Sequence, residues 1–312
     1  MELETMNGGM SHGQVLVKMI CAGICGAQLQ EISGQKGDFS FIPHMLGHEG
    51  CGTVTAIGNG VTHVQPNDKV VLHWRKGEGC EAALPTYSKG VKAGPVTTFA
   101  EYVIVGESRV TKVPMDFPAD LGALLGCALS TALATIENVA KVKWGESVMV
   151  IGCGGVGLSL IYAAKLAHAY PIVGVDQFDK RKWVEALGAD FRLHHPSHLA
   201  KFDVIIDTTG QAPLIEYLAP SGRYIMVGQP AAHDLLYIFG QRMFTGEGQK
   251  IEATQGGGFA PSKDIPRYVN LWRGGMLDDY KKLISHRVSL ADINTGIDLM
   301  RTGKAARVMV DF

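Results

Sequence analysis

The stretch "VMVIGCGGVGLSLIYAAKLA", residues 148–167, limits what this chain can fold into more than any other. An unbroken apolar run, a glycine turn and a run rich in apolar and small residues follow one another directly. Gly152, Gly154 and Gly157 fit the spacing G-x-G-x-x-G. Between a strand and a helix, the first glycine permits the tight turn and the second lets a pyrophosphate approach the backbone. The third lets the helix pack on the strand. Free N–H groups at the helix start, around Gly155 and Val156, would face the phosphate charge. Asp176 ends the next apolar run, "IVGVD", 19 residues after Gly157. A carboxylate there accepts hydrogen bonds from an adenosine ribose and repels a ribose phosphate, which favours NAD over NADP. A structural strand–turn–helix without ligand is the plain alternative.

The surrounding pattern supplies a setting for that motif. "PIVGVDQ", "FDVIIDTTG" and "GRYIMVGQP" are apolar throughout, as strands buried on both faces of a parallel sheet are. Helical segments are expected between them. Upstream, "QVLVKMICAG", "GCGTVTAIG", "DKVVLHW" and "TFAEYVIVG" are short β-rich runs broken by Gly, Pro, Asn and Asp. They predict an antiparallel, barrel-like region. "ADLGALLGCALSTALATIENVA", residues 119–140, predicts one long helix. The tail holds two helix-like stretches and a final strand. A chain of 312 residues exceeds what one core usually organises, so two domains are expected.

Composition excludes several classes of function. A net charge of −1 lacks the basic excess that nucleic-acid or membrane-surface binding uses. The opening "MELETMNGGMSHG" has no basic start followed by an apolar run. No uninterrupted apolar stretch approaches the ~18 residues of a membrane span. A cytoplasmic protein is expected. Its six cysteines are scattered, which is no disulfide framework, so reduced thiols are expected.

Some of those thiols have company. "GHEGCG" places His48 and Glu49 between glycines, with Cys25 upstream and Cys127 far downstream. Singly, a cysteine is most often core and a histidine most often a hydrogen-bonded structural residue. Two thiolates and one imidazole would nevertheless make a three-ligand zinc (Zn²⁺) site with an open fourth position.

With these residues in view, the chain resembles the zinc-containing alcohol dehydrogenases of the medium-chain dehydrogenase/reductase superfamily. The resemblance runs through "AGICG", "GHEGCGTVTAIGNGVTHVQPNDKVV", "TFAEYVIV", "GCALSTALATIENVAKVKWGESVMVIGCGGVGLS", "VGVD", "MVGQP" and "TGKAARVMVDF". It implies an α/β chain with a GroES-like β-barrel catalytic domain over residues 1–127, completed by 255–312. A Rossmann domain, a doubly wound parallel sheet that binds NAD, would occupy 128–254. Cys25, His48 and Cys127 would ligate the catalytic zinc, with Glu49 beside it as an outer-sphere or transient ligand. Gly152, Gly154, Gly157 and Asp176 would hold NAD, with Arg181 close to the adenosine ribose. Val227 and Gly228 would meet the nicotinamide carboxamide through backbone groups, and Arg307 would reach the pyrophosphate. An exposed helix-end cation is the alternative for Arg307. The implied reaction is hydride transfer between a primary or secondary alcohol, or its carbonyl, and NAD. A homodimer or homotetramer built on nucleotide-domain edge strands is also implied, with "GQKIEATQG" as a plausible edge.

The chain departs from the family in three places. After Cys25, the hydroxyl residue that relays the substrate proton is replaced by Ala27, the following acid by Gln28, and a histidine further on by Gln30. Loss of such assistance typically costs ~10²–10⁴-fold in rate. The proton could pass directly to water, or Glu49, His73 or a substrate hydroxyl could carry it. Alternatively the chain is an NAD-binding paralogue with little turnover. A zinc-free enone or quinone reductase is the other reading, and it would lack the Cys–His–Cys set. Second, the family's four closely spaced cysteines are missing: "RKGEGCEAALPTYSKGVKAG" has Cys80 alone. Third, the family has a further initial strand before "LETMNGG", so either the native start differs or the barrel lacks an edge strand. Trp74 matches a substrate-pocket position, with a core anchor as the equal alternative. Arg75 and Lys76, if they faced the pocket, would favour an anionic, polyol or sugar substrate; a solvated loop is the plain alternative. Because one thiol cannot build a four-coordinate site, metal analysis of the purified protein should return one tightly held zinc per chain and no structural zinc.

Overall fold

The computed structural model describes residues 10–37, 43–87, 90–194, 201–211, 213–238, 240–245 and 247–312. The "LETMNGG" segment lies outside them. The chain first forms β1 (Gln14–Ile24), α1 (Gly26–Ile32), β2 (Gly50–Ile57), β3 (Lys69–Leu72), a small pair β4 (Thr86–Tyr87) and β5 (Val91–Lys92), β6 (Tyr102–Gly106) and β7 (Val110–Val113). Next come α2 (Ala119–Leu125), α3 (Ala128–Ala134), β8 (Val148–Ile151), α4 (Gly155–Leu166), β9 (Ile172–Asp176) and α5 (Arg181–Ala186). They are followed by β10 (Asp190–Leu193), β11 (Phe202–Asp207), β12 (Leu218–Met226), α6 (Gly240–Thr245) and β13 (Lys250–Ala253). The chain closes with α7 (Pro261–Arg273), β14 (Ile284–Ser289), α8 (Ile293–Arg301) and β15 (Arg307–Asp311).

β1 organises the first sheet, whose order is β14-β15-β1-β2-β3-β7, with β6 also on β1. One strand serves three partners because it is long and irregular. Its first half pairs with β6, its last four residues pair with β15, and its register against β2 shifts between Leu16 and Val17 and between Met19 and Cys21. Such bulges bend a strand and raise its twist, as a sheet that curls on itself requires. Val15, Val17, Val54, Val70, Val103 and Val310 fill its interior. Their neighbours along each strand point the other way, with a strand's period of 2, and on β3, β6 and β15 that second face is buried as well.

The second sheet is wholly parallel, in the order β10-β9-β8-β11-β12-β13. Strand order reverses between β8 and β11, and in open α/β sheets ligands bind beyond the carboxyl ends of strands at that reversal. The ends of β8 and β11 meet there: the Thr208 hydroxyl donates to the carbonyls of Ile151 and Gly152. β13 occupies the outer edge, where "GQKIEATQG" was expected to lie.

Three expectations need correction. Residues 119–140 are not one helix: α2 and α3 meet at 57° across Gly126 and Cys127, and Cys127 has non-helical angles, φ −152° and ψ −74°. The cause is tertiary. Gly126 packs so tightly on the Leu72 carbonyl and on Glu49 that a Cβ there would overlap both. The link from β11 to β12 contains no α-helix among its described residues, only a 3-10 turn at Ile215–Tyr217. So short a link has no room for the dozen or more residues that a crossover helix generally takes. The tail also carries β14, parallel to β15, whose alternation "ISHRVS" is obscured by polar residues. No single helix among the described residues is long and apolar enough to cross a membrane.

The glycine turn follows the steric logic of its sequence. Gly152 has φ +84°, and a Cβ at Gly157 would overlap the Gly152 carbonyl oxygen, so α4 sits on the turn itself. Gly157→Ala should therefore lower stability by about 1–3 kcal/mol, the usual cost of overpacking, measured by urea unfolding.

Candidate active site

Three separated stretches bring the sulfur and imidazole donors together. Cys25 follows β1 and caps α1, His48 precedes β2, and Cys127 occupies the break between α2 and α3. Their ligand atoms lie within 4.8 Å of one another. Cys25 and Cys127 are buried. His48 Nε2 is buried with no hydrogen-bond partner. Two thiols and an unpartnered imidazole nitrogen form a donor set suited to zinc. A hydrogen bond from Cys127 pulls Cys25 well below its ordinary pKa against the opposing effect of burial, and the nearby His48 ring adds to the lowering. The same bond, with burial, pushes Cys127 well above its ordinary value. The helix break that the sequence did not reveal is what frees Cys127 to take part.

Glu49 does not join the donor cluster. Its carboxylate is fully buried and pairs with the guanidinium of Arg307, itself buried, and it also accepts the Ala128 N–H at 3.3 Å. Glu49 thus stands behind the donor cluster, where it could act only as an outer-sphere group while Arg307 holds it, and Arg307 is a buried strand residue, which excludes the alternative of an exposed helix-end cation. Arg307 still reaches the glycine turn, because a Cβ at Gly155 would meet its Nη1 at 2.8 Å.

The turn itself suits a dinucleotide. A Cβ at Gly154 would meet nothing within 4 Å, so this backbone is open to a ligand. Asp176 Oδ2 accepts the Cys153 N–H at 2.6 Å and Oδ1 accepts the Phe178 N–H at 2.8 Å, which fixes the carboxylate while leaving lone pairs for a ribose. The N–H groups of Val227 and Gly228 both donate to the Asp207 carbonyl, so only their carbonyl oxygens would be left to meet a carboxamide. Arg181 does not line the cleft: it pairs with Glu185 at 3.1 Å and lies over the Phe191 ring.

One cleft of about 1130 Å³ joins these parts, running from Cys25, His48 and Cys127 to Gly154, Asp176 and Gly228. Ala27 and Trp74 line it, so the position that lacks a hydroxyl does face the site. Two expected substitutes for that hydroxyl are excluded by their surroundings. His73 is fully buried outside the cleft, both ring nitrogens bonded, to the Arg75 carbonyl and the Thr111 hydroxyl; burial lowers its pKa to about 4. Glu49 is held by Arg307. Arg75 and Lys76 turn away, Arg75 donating to the Gln255 carbonyl and Lys76 pairing with Glu81. Cys80 bonds the Gly60 carbonyl, a lone loop thiol. Burial pushes Cys51 up to about 12 and Cys21 and Cys153 higher still, the behaviour of inert core thiols.

Two residues were not foreseen. The Thr131 hydroxyl lines the cleft and bonds Cys127. Buried Lys180 donates to the carbonyls of Gly303 and Ala305, each at 2.6 Å. Of these only Thr131 left a sequence signal, one helical turn after Cys127. Gln28, read in the sequence only as the loss of an acid, is buried between Cys25 and His48 and bonds both.

Residues 11–115 match the family described as the alcohol dehydrogenase GroES-like domain. The chain is 29% identical over 357 aligned positions to an alcohol dehydrogenase class-3 of Cereibacter sphaeroides, covering 97% of this chain and 94% of that protein. It is 29% identical to an S-(hydroxymethyl)glutathione dehydrogenase of Paracoccus denitrificans, covering 97% and 93%. Its fold matches a solved benzyl alcohol dehydrogenase of Acinetobacter calcoaceticus with a TM-score of 0.85 and 25% identity, covering 100% of this chain and 94% of that one.

Removing Arg307 would strand the Glu49 carboxylate without solvent or counter-charge. Arg307→Met should therefore destabilise the protein by about 3–5 kcal/mol, and adding Glu49→Gln should restore much of that loss in denaturant titrations. Equal stability of the single and double variants would show that the pair is not what holds this region.

Proposed function

From the premise that the chain belongs to the zinc-containing alcohol dehydrogenases of the medium-chain dehydrogenase/reductase superfamily, we propose that it interconverts an alcohol and its carbonyl with NAD. Zinc held by Cys25, His48 and Cys127 would supply a Lewis acid for the substrate oxygen, and NAD the hydride acceptor. One observation carries this reading. The sulfur–imidazole cluster and the glycine turn line the same cleft. Its volume exceeds the ~300–1,000 Å³ of ordinary ligand pockets, leaving room for a dinucleotide and a small substrate together.

The chain's own residues then divide the work. Gly154, Gly155, Val156 and Gly157 present backbone to the pyrophosphate, with Arg307 behind Gly155. Asp176 selects the unphosphorylated ribose, and the carbonyls of Val227 and Gly228 orient the carboxamide. Trp74 narrows the substrate end. Ala27 offers no group to take the substrate proton, so this proton leaves through water or through a second hydroxyl on the substrate. Since Arg75 and Lys76 are engaged elsewhere, an anionic substrate loses its support and a neutral diol, polyol or sugar alcohol fits better. We assign the barrel part to residues 1–127 with 255–312 and the nucleotide part to 128–254, in a cytoplasmic homodimer or homotetramer joined through the β13 edge.

NADH formation across an alcohol panel, with and without a chelator, tests this. Diols and polyols should be turned over faster than plain aliphatic alcohols. Metal removal should cut turnover by more than about 100-fold, as loss of several kcal/mol of Lewis-acid assistance would. Tight NADH binding with no turnover would favour the paralogue that Ala27 alone suggests.

A further inference from the structure

Gln28 is an amide wedged between two donors of the cluster, and its two ends are not equivalent. Oε1 accepts the Cys25 N–H at 2.9 Å, and Nε2 lies 2.6 Å from His48 Nδ1. A backbone N–H can only donate, so the end facing it must be oxygen, and the end facing His48 must be the NH₂. An NH₂ can only donate in turn. His48 Nδ1 is then an acceptor, and the neutral ring carries its hydrogen on Nε2, the nitrogen that is buried without a partner beside the two sulfurs.

That tautomer opposes metal binding. An imidazole ligates through a nitrogen lone pair, so coordination at Nε2 moves the hydrogen to Nδ1. Nδ1–H would then point at the Gln28 NH₂, donor against donor. Rotating the amide cures this clash and creates the same one at the Cys25 N–H. Two donors need two acceptor ends, and a carboxamide has one oxygen end. A carboxylate has two.

We propose that Gln28 is a positioning residue that holds metal-free His48 in its Nε2–H tautomer, and so weakens zinc uptake until its amide rotates and gives up one of its two hydrogen bonds. The inference rests on the zinc reading above but makes a separate claim about the metal-free protein.

Two measurements test it. In ¹⁵N-histidine-labelled, metal-free protein, long-range ¹H–¹⁵N spectra should show His48 protonated at Nε2 and acceptor-like at Nδ1. In chelator competition, Gln28→Glu, nearly isosteric, should bind zinc about 10–100-fold more tightly than the natural chain, the scale on which partners of ligand histidines act. NADH binding, for which Asp176 and the glycine turn supply contacts that Gln28 does not make, reports that the variant is folded. If the variant fails to fold, the tautomer measured in the natural chain decides. A metal-free Nδ1–H tautomer overturns the proposal, and so do equal zinc affinities, while leaving the zinc site standing. Failure of both proteins to take up zinc overturns the zinc reading as well, and that result is distinct from equal tight binding.

Discussion

Glu49 and Arg307, opposite charges with almost no access to water, meet where five stretches of chain converge. Glu49 follows His48 directly. Its carboxylate accepts the Ala128 N–H, just past Cys127, and its backbone supports the bend at Gly126. Gly23, two residues before Cys25, lies so close to its carboxylate that a Cβ would collide with it. Arg307 extends the contact from β15 to Gly155 at the head of α4. Buried ion pairs contribute little net stability, because desolvation offsets attraction, but breaking one is costly. Such a pair is better suited to fixing arrangement than to adding stability. Here it fixes the sulfur donors and the nucleotide turn relative to each other.

The same geometry accounts for what the amino-acid sequence does and does not reveal. The glycine turn was legible because its requirements are local: a positive φ at Gly152 and an overlap at Gly157 involve only neighbouring backbone. The fully apolar strands were legible for the same reason, since burial on both faces leaves no polar period. The break at Cys127 was not, because "GALLGCALSTALA" is good helix sequence and the bend is imposed by Leu72 and Glu49. Lys180 sits in "DQFDKRK", which reads as a solvated run; its carbonyl partners come from residues more than a hundred positions away. Gln28 reads in sequence as the loss of an acid, yet it is buried and doubly bonded.

The cluster and the missing hydroxyl also bear on each other. The donors are intact and converge, whereas Ala27 faces the cleft with only a methyl group. Neither Glu49 nor His73 stands ready in its place. Geometry thus separates two capacities that usually travel together, holding an oxygen and disposing of its proton. A chain built this way depends on what enters the cleft, since solvent or the bound molecule has to complete what its own side chains omit.

Lys180 has a mechanical consequence. Its buried ammonium reaches from the segment after Asp176 to the carbonyls of Gly303 and Ala305, just ahead of β15, and so ties the parallel sheet to the barrel sheet along one wall of the cleft. Separating the two sheets at that point would strand a buried cation, so the tie resists parting there.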